Sequence, residues 1–159
     1  MTRPLEDEPL RSSILDRLTG PNNQGRFAGR QSLEQLLDGV HRDLEQLLNT
    51  RYRVNAWPPD LDELEHSLVN YGIPDFAGVN MSSPAEREAF RNMVEDAIRL
   101  HEPRFLRVQV KLIDNQDRLD RTIRFKIDAI VKADPEPAEV QFDSRVDSNS
   151  RRIEVNTIR

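Results

Sequence analysis

An acid and an arginine flank a proline near the middle of the chain, at Glu102, Pro103 and Arg104. Proline disfavours the α-region for the residue before it, so Glu102 is expected in an extended conformation, where residues two apart lie on one side of the backbone. The two charges can form a local ion pair, which contributes about 0–1 kcal/mol when exposed. They can instead form a docking site, in which the arginine fork binds carboxylate or carbonyl groups of a partner. The spacing alone leaves both interpretations open.

The other residue types that could do chemistry argue against catalysis. His41, His66 and His101 lack the spacing of a metal site, and the chain has no cysteine. The sequence contains no GxSxG elbow, no phosphate-binding loop and no glycine pattern for a dinucleotide. We therefore predict no catalytic residue, no metal ion and no cofactor.

One enzymatic alternative is a glycosidase, a hydrolase that needs two carboxylates flanking a cleft. Glu102, beside Leu100 and Phe105, is the acid that we would assign as the proton donor, with Asp128 as a candidate second acid. Arg104 argues against that role, because a nearby guanidinium favours the ionised form of an acid.

Composition limits the class of protein and its partners. The chain has 159 residues, a net charge of -5 and 32% charged residues, which fits a single domain and argues against a nucleic-acid surface. Residues 1–9 carry three acids and are predicted to form a flexible leader, with residues 10–159 as one domain. No apolar run approaches the ~18 residues that span a bilayer, so we expect a cytoplasmic protein with protein partners and no membrane insertion.

Apolar residues recur at helical spacing through the first half of the chain. The pattern predicts a short amphipathic helix from Leu10 to Leu18 and a longer helix from Ser32 to about Thr50. A third helix is predicted to begin at an Asp60 cap and to end at Gly72 in a left-handed conformation. Its apolar residues are Leu61, Leu64, Leu68 and Tyr71.

A fourth helix is predicted to begin at Ser83 and Pro84, because serine is a favourable N-cap and proline fits the first helical position. It is predicted to end at about His101, since Pro103 prevents a further turn. Beyond the proline the spacing of apolar residues changes from helical to alternating, which indicates strands.

The first predicted strand places its apolar residues on one face, and the turn Asn115-Gln116-Asp117 joins it to a second strand from Ile123 to Val131. The apolar face of the first strand comprises Leu106, Val108, Val110 and Leu112. Two short strands follow, separated by a polar loop from Asp143 to Arg151. They carry Val140 with Phe142 and Ile153 with Val155. The predicted fold is α+β, with the N-terminal helices on one face of a small, mainly antiparallel sheet whose C-terminal half is a β-meander.

The last two predicted strands leave one edge of the sheet without an obvious partner. Such an edge can accept a strand from another protein. Alternatively, the charges on Arg151, Arg152 and Glu154 only protect the edge from aggregation.

Five short stretches follow one another along the chain: Ser13-Ile14-Leu15-Asp16-Arg17-Leu18, Asp43-Leu44-Glu45-Gln46-Leu47-Leu48-Asn49-Thr50-Arg51, Asn70-Tyr71-Gly72-Ile73-Pro74-Asp75-Phe76, Glu102-Pro103-Arg104 and Val140-Gln141-Phe142-Asp143-Ser144. Together they resemble the TssE family of baseplate subunits in bacterial type VI secretion systems. That family belongs to the contractile-phage baseplate wedge proteins, often labelled lysozyme-like, and this label implies the alternative of a hydrolase that cleaves peptidoglycan. The resemblance runs from about Leu10 to the C-terminus.

The resemblance implies a structural role without catalysis, in a cytoplasmic baseplate docked at the inner membrane of a Gram-negative bacterium. Members of the family lie in the baseplate wedge beside the TssF, TssG and TssK subunits. Their Glu-Pro-Arg motif, which falls here on Glu102, Pro103 and Arg104, carries the contact with the wedge.

The resemblance also implies a second surface. Family members resemble the sheet domain of the sheath protein and start polymerisation of the TssB/TssC sheath by strand exchange. The edge expected to face the sheath comprises Val140, Phe142, Ile153 and Val155.

Overall fold

The structure is a computed structural model, which describes residues 33–52, 60–61, 63–64, 67–76, 83–114, 122–134, 136–147 and 150–158. The predicted leader, the helix from Leu10 to Leu18, the Ser32 cap and the turn at residues 115–117 lie outside these ranges.

Two α-helices form one layer of the fold. Helix α1 spans Leu33–Asn49, and its apolar stripe buries Leu36, Val40, Leu44, Leu47 and Leu48. Helix α2 spans Pro84–His101, with Ser83 at the N-cap and a proline in its first turn. Both helices confirm the sequence prediction, because their apolar residues recur on one face at helical spacing. Neither described helix is long and apolar enough to cross a membrane.

Four antiparallel strands form the second layer, in the order β1-β2-β3-β4. Strand β1 spans Phe105–Ile113, β2 spans Ile123–Val131, β3 spans Ala138–Val146 and β4 spans Ile153–Ile158. The predicted meander and the α+β class are confirmed. Strands β1 and β4 are the two edges of the sheet.

The core lies between the helices and one face of the sheet. Phe90 of α2 contacts Phe76 and Phe125 edge-on, with ring centroids 5.4 and 6.0 Å away. Alternate residues of β2 face this core, and Phe125 and Ile127 are fully buried. The opposite face of the sheet carries the polar residues, as alternation predicts.

The predicted third helix, from Asp60 to Tyr71, is wrong. Among the described residues of this stretch the backbone hydrogen bonds join residues three apart, and the element is a 3-10 helix at Leu68–Asn70. The hydroxyl of Ser67 accepts a hydrogen bond from the Val69 backbone N–H and begins this short turn. Leu68 is 87% exposed and Val69 60% exposed, so the apolar residues do not form a buried stripe that would stabilise an α-helix.

Gly72 follows this turn at a positive φ of 117°, as predicted. The next residue, Ile73, forms a parallel bridge with Arg51, and its N–H donates to the Thr50 carbonyl at 3.0 Å. A Cβ at position 72 would lie 2.4 Å from the Thr50 oxygen. Only glycine allows the chain to approach α1 so closely here.

Two strand predictions need correction. Leu106 was expected on the buried face of β1 but is 57% exposed, because a register irregularity lies between Phe105 and Arg107. Such an irregularity moves one side chain to the other face, and Phe105 packs against the core instead. Strand β3 is also longer than predicted: the segment assigned to a loop after Phe142 continues as strand to Val146.

Candidate partner-binding site

The Glu-Pro-Arg segment forms a tight turn between α2 and β1. The Glu102 N–H donates to the Ile98 carbonyl at 2.9 Å and closes the helix, and the Phe105 N–H donates to the Glu102 carbonyl at 3.2 Å. Pro103 is exposed at the tip of this turn. The proline thus ends α2 as predicted and presents its ring to the solvent.

The two charged side chains of this turn bind each other and a third residue from α1. The Arg104 Nε donates to Glu102 Oε1 at 2.6 Å, and the Arg104 Nη2 donates to Asp43 Oδ2 at 2.8 Å. Glu102 is 5% exposed. We call Asp43, Glu102 and Arg104 the ion triad. The Lys132 N–H also donates to the Arg104 carbonyl at 2.8 Å, so the backbone of this arginine is fixed to the end of β2.

Two pKa shifts describe the electrostatics of the triad. Burial lowers the pKa of Arg104, but hydrogen bonds and attraction from Glu102 and Asp43 outweigh it, and the net shift is upward. Burial also raises the pKa of the neighbouring Tyr71, and the charges of Asp43 and Glu102 raise it further. The triad contains two carboxylates and one guanidinium, so its field disfavours another negative charge.

An exposed apolar surface adjoins the triad. The His101 ring lies edge-on to Tyr71 at 5.2 Å, and its Nε2 hydrogen bonds to the Asn70 carbonyl at 3.0 Å. These contacts hold the 3-10 helix, which carries the exposed Leu68 and Val69, against the end of α2, from which the Glu-Pro-Arg turn continues. The sequence prediction missed this surface because it assigned both residues to an α-helix.

The structure separates the four residues predicted at the sheath-facing edge. Val140 and Phe142 lie on β3, which pairs with β2 on one side and β4 on the other, so their assignment to an edge strand is wrong. Ile153 and Val155 lie on β4, which is an edge strand. All four side chains are buried against the core. Any partner strand would therefore meet the backbone of β4 and not these side chains.

Side chains from α1 already occupy part of the β4 edge. The Asn49 amide donates to the Ile153 carbonyl at 2.8 Å and accepts from the Ile153 N–H at 2.9 Å. The His41 Nε2 hydrogen bonds to the Val155 carbonyl at 2.7 Å. In antiparallel strands the N–H and C=O groups of alternate residues point toward the neighbouring strand or away from it. Among the described residues, the outward groups without a partner are therefore the Val155 N–H and both backbone groups of Thr157. We call this the free segment of β4.

The β1 edge is held in the same way by α2. Glu95 is 7% exposed, and its Oε2 accepts from the Val110 N–H at 2.9 Å and from Arg91 Nη1 at 3.1 Å. Its other oxygen accepts from Arg99. Each helix therefore binds the outer backbone of one edge strand, which protects both edges from unwanted pairing.

The two acids of the hydrolase alternative lie on different sides of the sheet. Glu102 belongs to the ion triad on the helix side. Asp128 alternates with the buried Ile127 and Ala129 of β2 and faces the other way. Hydrogen bonds from Lys111 and Gln141 lower the pKa of Asp128. The geometry gives these two acids no common cleft.

Comparison with known proteins gives the family. The sequence model described as baseplate wedge protein gp25 matches residues 34–136, which include α1, the Glu-Pro-Arg turn and the first two strands. No curated protein matches the chain. In fold, the chain is similar to a chain of the baseplate complex from the type VI secretion system, with 17% identity and a TM-score of 0.51 over 79% of this chain and 96% of that one. The chain belongs to the baseplate wedge protein gp25 family, a family of structural baseplate components.

Proposed function

We propose that this chain is a non-enzymatic subunit of a type VI secretion baseplate, with separate surfaces for the wedge and the sheath. One surface is the Glu-Pro-Arg turn with its exposed apolar neighbours, and it docks to the TssF/TssG wedge near TssK. The other is the free segment of β4, which pairs with a strand of the TssB/TssC sheath. The observation that carries the proposal is the ion triad, which fixes the turn that exposes Pro103.

The triad suits a docking role better than a stabilising one. Three charged groups taken out of water contribute little net stability, because the loss of hydration offsets their attraction. Their contacts fix the geometry of the turn before a partner arrives, which lowers the entropy that binding must overcome. Within the described part of the chain, Arg104 Nη1 donates no hydrogen bond. It is therefore available to a carbonyl or carboxylate of the wedge.

Exposed apolar residues supply the remaining contact. Leu68 and Val69 are more exposed than the core leucines and valines of the helices by a wide margin. Burial of such side chains at an interface contributes about 25 cal/mol for each Å² removed from water. Arginine is enriched among the residues that dominate binding energy, so Arg104 is expected to contribute more to docking than either apolar side chain.

The test is co-purification of the full chain with TssF and TssG. Arg104→Ala is expected to weaken capture by a few kcal/mol, as truncation of a buried charged contact does. Leu68→Asp is expected to weaken capture without touching the triad, and circular dichroism checks that both variants fold. Arg145→Ala is the matched control, because Arg145 is an exposed arginine on the other face of the sheet that pairs, among the described residues, with Glu154. Capture of folded Arg104→Ala at the wild-type level would contradict the proposal.

The sheath surface has its own test. Val155→Pro removes an outward N–H of the free segment and is expected to impair sheath initiation while wedge capture persists. The control is Glu154→Ala, one residue earlier, whose backbone groups face β3. Equal loss of both activities in folded Val155→Pro would show that the two surfaces are not separate.

A further inference from the structure

A concave surface lies at the C-terminal end of α1, between the last turns of that helix and the residues that precede β4. It is an open cleft of about 800 Å³. Four arginines line it, together with two acids: Arg42, Arg51, Arg151, Arg152, Glu45 and Asp75. We call it the arginine cleft. Its local excess of positive charge contrasts with the net charge of -5 on the whole chain.

Arg51 lines the cleft, and its guanidinium is bound by the fold. Its Nη1 donates to the Leu48 carbonyl at 2.7 Å, and its Nη2 donates to the Arg151 carbonyl at 3.2 Å. The guanidinium carbon lies 4.6 Å from the centre of the Phe76 ring, which is a cation–π contact. Burial lowers the pKa of Arg51. This arginine is thus committed to the fold and connects α1 to the β3–β4 turn.

Arg151 and Arg152 are the exposed cations of the cleft. Within the described part of the chain the Arg151 guanidinium makes no hydrogen bond or ion pair, and Arg152 makes one long contact, 3.4 Å, to Glu45. Their positions are fixed by the backbone, since the Arg151 N–H donates to the Asp147 carbonyl at 2.8 Å. Two exposed arginines that follow each other in sequence therefore line the cleft on a backbone held by this bond.

The backbone of Arg151 is unusual. Its φ of 56° is left-handed, and it is the one described residue other than glycine with a positive φ. Glycine or asparagine is the ordinary residue there, and another side chain adds strain of about 1–3 kcal/mol. An arginine whose guanidinium is unpaired within the described part of the chain therefore occupies a position where glycine would be unstrained.

We propose that the arginine cleft binds an acidic segment of a partner protein, a short run of aspartates or glutamates. Arg151 and Arg152 bind its carboxylates in the forked geometry that guanidinium and carboxylate share. Arg151 and Arg152 belong neither to the Glu-Pro-Arg turn nor to the free segment of β4, so the inference goes beyond the function proposed above. A protein partner is favoured over nucleic acid because the acidic chain as a whole repels a long polyanion.

The experiment measures binding of a fluorescein-labelled hexaglutamate peptide to the full chain by fluorescence anisotropy at low salt. Wild type is expected to bind this peptide and to release it in 0.5 M salt, while a hexaglutamine peptide does not bind. Arg151→Ala with Arg152→Ala is expected to lower affinity about tenfold or more. The matched control is Lys111→Ala with Arg145→Ala, which removes the same charge from the outer face of the sheet and is expected to leave affinity unchanged.

Arg151→Gly gives a second variant whose fold is not at risk, because glycine adopts the positive φ at this position without steric strain. It is expected to weaken peptide binding while its thermal midpoint equals or exceeds that of wild type. Three results would overturn the proposal: no binding of hexaglutamate by wild type, equal losses in the cleft and control variants, or binding of a single-stranded oligonucleotide as tight as that of the peptide.

Discussion

Replacement of Glu95 by alanine tests whether a helix side chain closes the β1 edge. Glu95 is buried and accepts the Val110 N–H at 2.9 Å. Truncation leaves that N–H buried without an acceptor, which costs about 1–3 kcal/mol. The bonds from Arg91 and Arg99 are lost as well, but both arginines are in contact with solvent, so their share is small. We expect a total loss of about 2–4 kcal/mol in the free energy of unfolding.

The assay is thermal unfolding followed by circular dichroism, in which this loss corresponds to a fall of about 4–16 °C in the midpoint. Asp96→Ala is the matched control, because Asp96 is the next acid on α2 and its side chain is 73% exposed; we expect a change within about 0.5 kcal/mol. Glu95→Gln keeps an acceptor for Val110 and should recover at least half of the loss. Equal destabilisation by Gln and Ala would refute the reasoning, since it would assign the effect to the ion pairs and not to the strand edge.

Two further predictions concern a backbone constraint and an acid on the outer face. Gly72→Ala brings a Cβ to 2.4 Å from the Thr50 oxygen at a positive φ, so we expect a loss of at least about 2 kcal/mol in urea unfolding; an unchanged midpoint would contradict the close approach. The pKa of Asp128 is lowered from 3.8, so its ionised form stabilises the fold above that pH and the contribution disappears as pH falls through the lower, folded-state pKa. Wild type should therefore lose more stability between about pH 4 and 2 than Asp128→Asn does; parallel curves would show that the hydrogen bonds to this acid do not stabilise the fold.

The sequence was sufficient to predict those helices and strands whose apolar pattern lies within one continuous segment of the chain. The leucine stripe of α1 and the alternation of β2 each repeat over a whole element, and such periodicity is a strong signal. The end of α2 was predictable because Pro103 acts on its immediate neighbours. The same reasoning predicted that Glu102 and Arg104 would meet.

The features that were missed depend on residues distant in sequence or on a single irregular position. Asp43 completes the ion triad from 61 residues before Arg104, and no spacing rule connects them. One irregularity at the start of β1 was enough to expose Leu106, because a shift of one residue exchanges the two faces of a strand. The sequence prediction ended β3 too early because serine is typical of loops, and the burial of Ser144 depends on the packing of the sheet.

The side chains that hold the β4 edge also limit how strongly one molecule can bind a partner strand. The free segment offers about three main-chain groups, because Asn49 and His41 occupy the others. At about 0.5–1.5 kcal/mol for each hydrogen bond, a single contact is weak and reversible. Several copies fixed at matching positions would bind a ring of strands through avidity, whereas an isolated copy would release its strand. On the proposal that β4 pairs with a sheath strand, the bonds from α1 would make strand capture depend on several copies acting together, and an isolated subunit would not start a sheath.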